Sequence, residues 1–216
     1  MQKAATAAVA AVATIFAEIA ASGPLEDANN AYRCRDYSTA LELWRPLADQ
    51  GSAEAQAKVG TLYDFGFGVP QSYASAASWY RKAAEQGNAD AEFSLGFLYE
   101  LGHGVPQDYG IAAEWYQKAA DQGDLFAESK MGVFYLKGQG VSQDYTQAAI
   151  WLRKAAERGE PTAQLALAMM YSTGLGLPKD MAEADKWRQR LADRAQQALH
   201  GAGPPVPAGE GCQRKP

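Results

Sequence analysis

Apolar residues recur along this chain at the spacing of one helical face. Ala91, Leu95, Leu98 and Tyr99 stand at i, i+4, i+7 and i+8, and Gly102 ends the run, which predicts an amphipathic helix. A second helix follows, with Ala112, Trp115, Ala119 and Ala120 on its buried side and Gly123 closing it. Between them lies Gly102-His103-Gly104-Val105-Pro106. Glycine takes the left-handed conformation at a helix end without a Cβ penalty, and proline cannot continue the helix, so the chain is expected to reverse there.

The unit repeats with a period of 36 residues. Tyr37, Tyr73, Tyr109 and Tyr145 mark the interval, and Met181 takes the next place. Gly51, Gly87, Gly123 and Gly159 keep the same register, as do Tyr63, Tyr99, Tyr135 and Tyr171, and Trp79, Trp115, Trp151 and Trp187. The paired loop glycines at 66 and 68 recur at 102 and 104, 138 and 140, and 174 and 176. Asp108, Asp144 and Asp180 stand where N-caps belong, with Gln147 and Glu183 three residues on, as in a capping box. Asp124 is placed to cap a first helix. Gly60, Gly96 and Gly132, with Ala168 in the fourth copy, fall mid-helix, where glycine costs about 1 kcal/mol against alanine, so close helix approach is the expected return. With the bulky Tyr and Trp columns they give knob-and-notch surfaces for stacking hairpins into a solenoid. The aromatic columns are therefore read as core.

The sequence Ala-x-x-x-Leu-Gly-x-Leu-Tyr, then Gly-x-Gly-Val-Pro-Gln-Asp-Tyr, then Ala-Ala-x-Trp-Tyr-x-Lys-Ala-Ala-x-x-Gly resembles the Sel1-like repeat, a relative of the tetratricopeptide repeat. The copy from Ala91 to Gly123 matches almost column for column, and the resemblance covers about Leu25 to Leu199. The last copy departs most, with Ala168 for Gly, Met181 for Tyr and Asp185 for Ala. The resemblance implies an all-α fold, a right-handed α/α superhelical solenoid of stacked antiparallel helix hairpins. On this reading residues 23–50 form a capping hairpin in which Cys34, Arg35 and Asp36 replace the long loop, and Ala40, Leu43 or Trp44, and Leu47 face inward. Residues 51–200 hold four repeats ending in a polar cap helix from Met181 to His200, and residues 201–216, rich in Pro and Gly, form a disordered tail.

The N-terminus reads differently. Lys3 precedes an Ala-rich apolar run that stops at Glu18, followed by Ala20, Ala21, Ser22 and Gly23. The run falls short of the roughly 20 apolar residues that span a bilayer and fits a secretory signal peptide over residues 1–22, cleaved between Ala20 and Gly23. An Ala-rich helix docked on the body is the alternative.

Composition narrows the chemistry. A formal charge of -5 and a pI near 5.1, with no long basic run, argue against nucleic acid. Two cysteines and two histidines exclude a zinc finger. No Ser-x-x-Lys, Gly-x-Ser-x-Gly, His-Glu-x-x-His or Walker-type sequence occurs, so no catalytic residue, cofactor or metal is expected. His103 occupies a loop tip that varies between copies, as Phe67, Gln139 and Leu175 show. Asp90 and Glu92 read as the solvated first turn of a helix. Cys34 and Cys212 could pair only if the tail folded back, so free or intermolecular thiols are expected.

If the chain works by recognition, its useful residues vary between copies while facing one way. By analogy with tetratricopeptide stacks, the free columns of each first helix line the concave side. They predict a groove of Asp64, Asp90, Phe93, Phe97, Glu100, Ser129, Val133, Leu136, Leu165 and Met169, with Glu54, Thr61, Phe65, Leu101, Phe126, Lys137 and Ser172 around them. It would be acidic towards the N-terminal half and apolar at its centre. The expected role is a non-catalytic scaffold or regulator holding a protein partner, without nucleic acid or a membrane span, in the periplasm or secreted, with the cytoplasm as the alternative. Resemblance to cysteine-rich Sel1-like proteins leaves an enzyme of the β-lactamase or cell-wall-binding type as the other reading, although this chain lacks their cysteine columns.

Overall fold

In a computed structural model, which describes residues 23–201, the chain forms ten helices and no strand among those residues. They are α1 (Pro24–Arg33), α2 (Tyr37–Asp49), α3 (Ala53–Phe65), α4 (Tyr73–Ala84), α5 (Ala89–Leu101), α6 (Tyr109–Asp121), α7 (Leu125–Lys137), α8 (Tyr145–Glu157), α9 (Pro161–Thr173) and α10 (Met181–Gly201). Each helix packs chiefly on its sequence neighbours, as the repeat period requires. The result is a right-handed α/α solenoid of antiparallel hairpins. The signal-peptide reading of residues 1–22 and all but the first residue of the predicted tail lie outside the described residues.

Helix ends follow the chain's punctuation. Asp108, Asp124, Asp144 and Asp180 each accept the backbone N–H three residues on, from Ile111, Ala127, Gln147 and Glu183, at 2.7–3.0 Å. The reciprocal arm of the expected capping box is replaced: the N–H groups of Asp144 and Asp180 donate to the carbonyls of Tyr135 and Tyr171 in the preceding helices. Glu183 takes Lys186 instead. Gly66, Gly102, Gly138 and Gly174 close the first helices in the left-handed region. The glutamine two residues after the loop valine then ties the loop down, for Gln71, Gln107 and Gln143 donate to the carbonyls of Asp64, Glu100 and Leu136 at 2.6–3.0 Å.

The second loop glycine sets the distance between repeats. Gly68, Gly104, Gly140 and Gly176 have φ between +65 and +70°. Each presses on the start of the second helix one hairpin earlier, at Tyr37, Tyr73, Tyr109 and Tyr145 respectively. Loop tips add to the joint: Phe67 stacks on Tyr37 at 4.6 Å and His103 on Tyr73 at 4.4 Å. His103 is therefore a stacking residue between repeats.

Mid-helix glycines serve the hairpin itself, which refines the expected knob and notch between hairpins. A Cβ on Gly60 or Gly96 would lie 2.7 or 2.9 Å from the Tyr80 or Tyr116 ring, and one on Gly132 would lie 2.5 Å from Leu152 Cγ and 3.1 Å from its backbone nitrogen. Gly132→Ala is expected to lower stability by about 1–2 kcal/mol, measured as a urea midpoint. That is opposite in sign to the roughly 1 kcal/mol gain that alanine brings to a free helix.

The core is a line of four clusters, each drawn from adjoining hairpins. Trp79, Trp151 and Trp187 are buried and Trp115 half-buried. Lys82, Lys118, Lys154 and Arg190, each three residues on, place a cation 3.9–4.5 Å over the tryptophan ring. Of the other aromatic columns, Tyr63, Tyr99, Tyr135 and Tyr171 are half-buried, while Tyr109 and Met181 reach the surface.

A buried polar column runs beside this core through Gln56, Glu92, Glu128 and Gln164. Glu92 is thus not a solvated first-turn carboxylate. Gln122, 30 residues on, donates to it at 2.7 Å, as Gln86 does to Gln56 and Arg158 to Glu128. Burial pushes the Glu92 carboxyl above its usual range, with the Gln122 bond opposing. Cys34, which follows α1, is disulfide-bonded rather than a free thiol, correcting that expectation. Cys212 lies outside the described residues.

Candidate functional site

The first helices α3, α5, α7 and α9 carry equivalent positions on one side of the stack, because each repeat adds a copy of the same hairpin in the same register. Nine large hydrophobic residues are exposed among the described residues, and six of them lie on these four helices: Phe65, Phe97, Leu101, Phe126, Leu165 and Met169. Sequence spacing places them at the helical offsets 54, 57, 61 and 65 of the repeat, a single stripe.

Phe93 is the hub of the stripe. Its half-buried ring lies 6.4 Å from Phe97 and 6.0 Å from Phe126 in the next repeat, and it rests on Tyr116 at 5.5 Å. This aromatic group joins two repeats with one face open to solvent. Leu165 and Met169 extend the exposed stripe on α9, with Leu165 at 58% exposure. Val133 and Leu136 are half-buried and pack on the core cluster of α8 and α9, so they form the floor.

The polar residues divide into spent and available groups. Ser129 is buried at 5% exposure and donates to Glu160 at 2.8 Å, so it belongs to the packing between repeats. The signal for this is a carboxylate 31 residues on, at the cap of the next first helix. Asp64 accepts from the Tyr80 hydroxyl at 3.3 Å, and burial raises its carboxyl above the usual range, opposed by the Tyr80 bond and by His103. Glu100 accepts from the Tyr116 hydroxyl at 2.5 Å and from Lys130 at 2.8 and 2.9 Å. Lys130 also lies 5.3 Å from the Phe97 ring centre. This cation was missing from the sequence-based groove because its column reads Lys58, Ser94, Lys130 and Ala166, with no consistent chemistry.

Asp90 is exposed and makes no ion pair among the described residues. Its charge reinforces burial in raising the Asp124 carboxyl, while the backbone N–H of Ala127 opposes the shift. Glu54 is likewise exposed and, among the described residues, accepts only a long bond, 3.4 Å, from Asn29. The face therefore offers free carboxylates near α3 and α5, a neutralised Glu100–Lys130 pair and an aromatic middle. Among the described residues no cluster of three or more His, Cys, Asp or Glu suits a metal ion, and no helix is long and apolar enough to cross a membrane.

Comparison with known proteins agrees with the stacked hairpins. The Sel1 repeat family matches residues 35–52, 53–88, 89–124, 125–160 and 161–195. A Sel1 repeat protein from Oxalobacter formigenes is 36% identical over 79% of this chain and 70% of its own, with a TM-score of 0.74. A protective antigen of uropathogenic Escherichia coli strains with an SLR fold is 33% identical over 79% of this chain, with a TM-score of 0.70. The present chain covers 39% of that antigen's length. No curated protein matches. With five consecutive repeat matches and this shared architecture, the chain belongs to the Sel1 repeat family, whose members are typically non-catalytic helical scaffolds for protein interaction.

Proposed function

We propose that this protein is a non-catalytic scaffold or regulator, exported to the periplasm or cell exterior, that holds a protein segment on the concave face lined by α3, α5, α7 and α9. The observation that carries the reading is the gathering on those helices of six of the nine large hydrophobic residues exposed among the described residues. Exposed apolar side chains scattered singly need no explanation, whereas a contiguous stripe rimmed by charge marks an interaction surface. Aromatic residues set in a partly buried floor are the usual anchors of such surfaces. Export is supported by the Lys3-led Ala-rich stretch and the small residues at 20–23. A relative described as a protective antigen supports a position outside the cytoplasm.

Phe97→Asp places a charge at the middle of the stripe without touching the core. The variant is expected to keep the wild-type circular dichroism and to lose its partner in a side-by-side capture from the native envelope. Equal recovery of the same partner by both proteins would remove this face from the proposal.

A further inference from the structure

We infer that the segment held on this face is an amphipathic α-helix with basic residues, lying across the first helices with its apolar side on Phe93, Phe97 and Phe126; this rests on the proposed partner-binding face. Two observations carry it. An extended segment must pair its backbone N–H and C=O groups with the surface that receives it. The exposed positions of α3, α5, α7 and α9 contain no Asn or Gln, since Gln56 and Gln164 are buried and donate to Ala48 and Ala156 carbonyls. Most of the Ser and Thr hydroxyls are already used as well: Thr61, Ser94, Ser172 and Thr173 each donate to a carbonyl of their own helix, which leaves the exposed Thr162 at the start of α9. A helix satisfies its own backbone and asks of this surface only apolar contact.

The second observation is charge. Glu54 and Asp90 are exposed and unpaired by any cation among the described residues, whereas Lys130 is taken up by Glu100. Basic side chains on the arriving helix therefore meet free carboxylates beside the aromatic group. Complementarity of this kind sets orientation and speeds encounter.

The test uses the full chain and three fluorescein-labelled 18-residue peptides. One places leucine at i, i+3, i+4 and i+7 with lysine elsewhere; the second has the same residues interrupted by two central prolines; the third carries glutamate for lysine. The leucine–lysine helix is expected to bind with a gain in helicity. Phe97→Ala/Phe126→Ala should weaken it by roughly tenfold or more, as loss of anchor residues does. Glu54→Gln/Asp90→Asn should weaken it and steepen no salt dependence, while Ile150→Asp, exposed on α8, should leave it unchanged. No binding of this helix, or equal binding by the proline-interrupted or glutamate peptide, overturns the inference. If those peptides bind equally yet all depend on Phe97 and Phe126, the binding face survives and only its occupant is wrong. Binding indifferent to both phenylalanines overturns the face as well.

Discussion

Gly140→Ala should lower the thermal midpoint by roughly 6–12 °C, corresponding to about 3 kcal/mol for a chain of this size. Two costs add at this position. Gly140 has φ +67°, and an L-residue forced into that region loses about 1–2 kcal/mol. In addition, the new Cβ would fall within the van der Waals envelope of the Tyr109 carbonyl at the start of α6. Both colliding groups are held by backbone, so relief requires one hairpin to move away from the next. In a stack whose stability is a sum of neighbour interfaces, that loosens the joint as a whole. Gly123 supplies the control, since it has φ +83° but no atom within 4 Å of a Cβ. Gly123→Ala should shift the midpoint less, by about 2–8 °C. If the two variants melt together, the close approach between repeats contributes nothing beyond backbone conformation.

Raising the pH from 10 to 11 should remove about 2 kcal/mol of stability, through two tyrosines. Tyr80 and Tyr116 are buried, and burial holds both phenols above their ordinary range. Their hydroxyls also point at carboxylates, Asp64 and Glu100, so ionisation would place a phenolate beside a like charge. An unfolded tyrosine loses its proton near pH 10, while these two keep theirs in the folded chain. The folded value is the raised one, so their contribution is complete below pH 10 and is lost as pH climbs towards the folded values. The slope for each tyrosine rises to about 1.4 kcal/mol per pH unit once the unfolded phenol is fully ionised. Urea unfolding at pH 9, 10 and 11 measures the decline, and Tyr80→Phe/Tyr116→Phe should flatten it. A double variant that falls as steeply as the parent would assign alkaline unfolding to other groups.

The third repeat shows why these contacts were hard to read beforehand. Position 64 of the repeat holds Asp64, Glu100 and then Leu136, while position 80 holds Tyr80, Tyr116 and then Leu152. Acid with tyrosine, then leucine with leucine, is a paired substitution across the hairpin. The two columns are separated by 16 residues, and no helical period links them; only the packed hairpin shows that they meet. The same holds for Glu92 with Gln122 and Glu128 with Arg158, which join at a separation of 30 residues.

The residues expected on this face differ in exposure, for related reasons. Phe97, Leu165 and Met169 lie exposed where the helical offset places them, and Phe93 joins Phe97 and Phe126 in one aromatic group. Ser129 shares Leu165's column, yet the chain entering the next repeat brings Glu160 onto it and closes it from solvent. Periodicity assigns a residue to a side of its helix; it does not say how far the neighbouring hairpin overlaps that side.

The sequence by itself determined the helices, their ends, the stacking order and the family, because these rest on local patterns and on a period that the chain repeats. Tertiary structure alone decided which polar groups are consumed between repeats, where the loop glycines bear on backbone, and which apolar side chains remain at the surface. Those outcomes depend on contacts between residues 16 to 36 positions apart, whose meeting is fixed by the angle and depth at which one hairpin settles on the next.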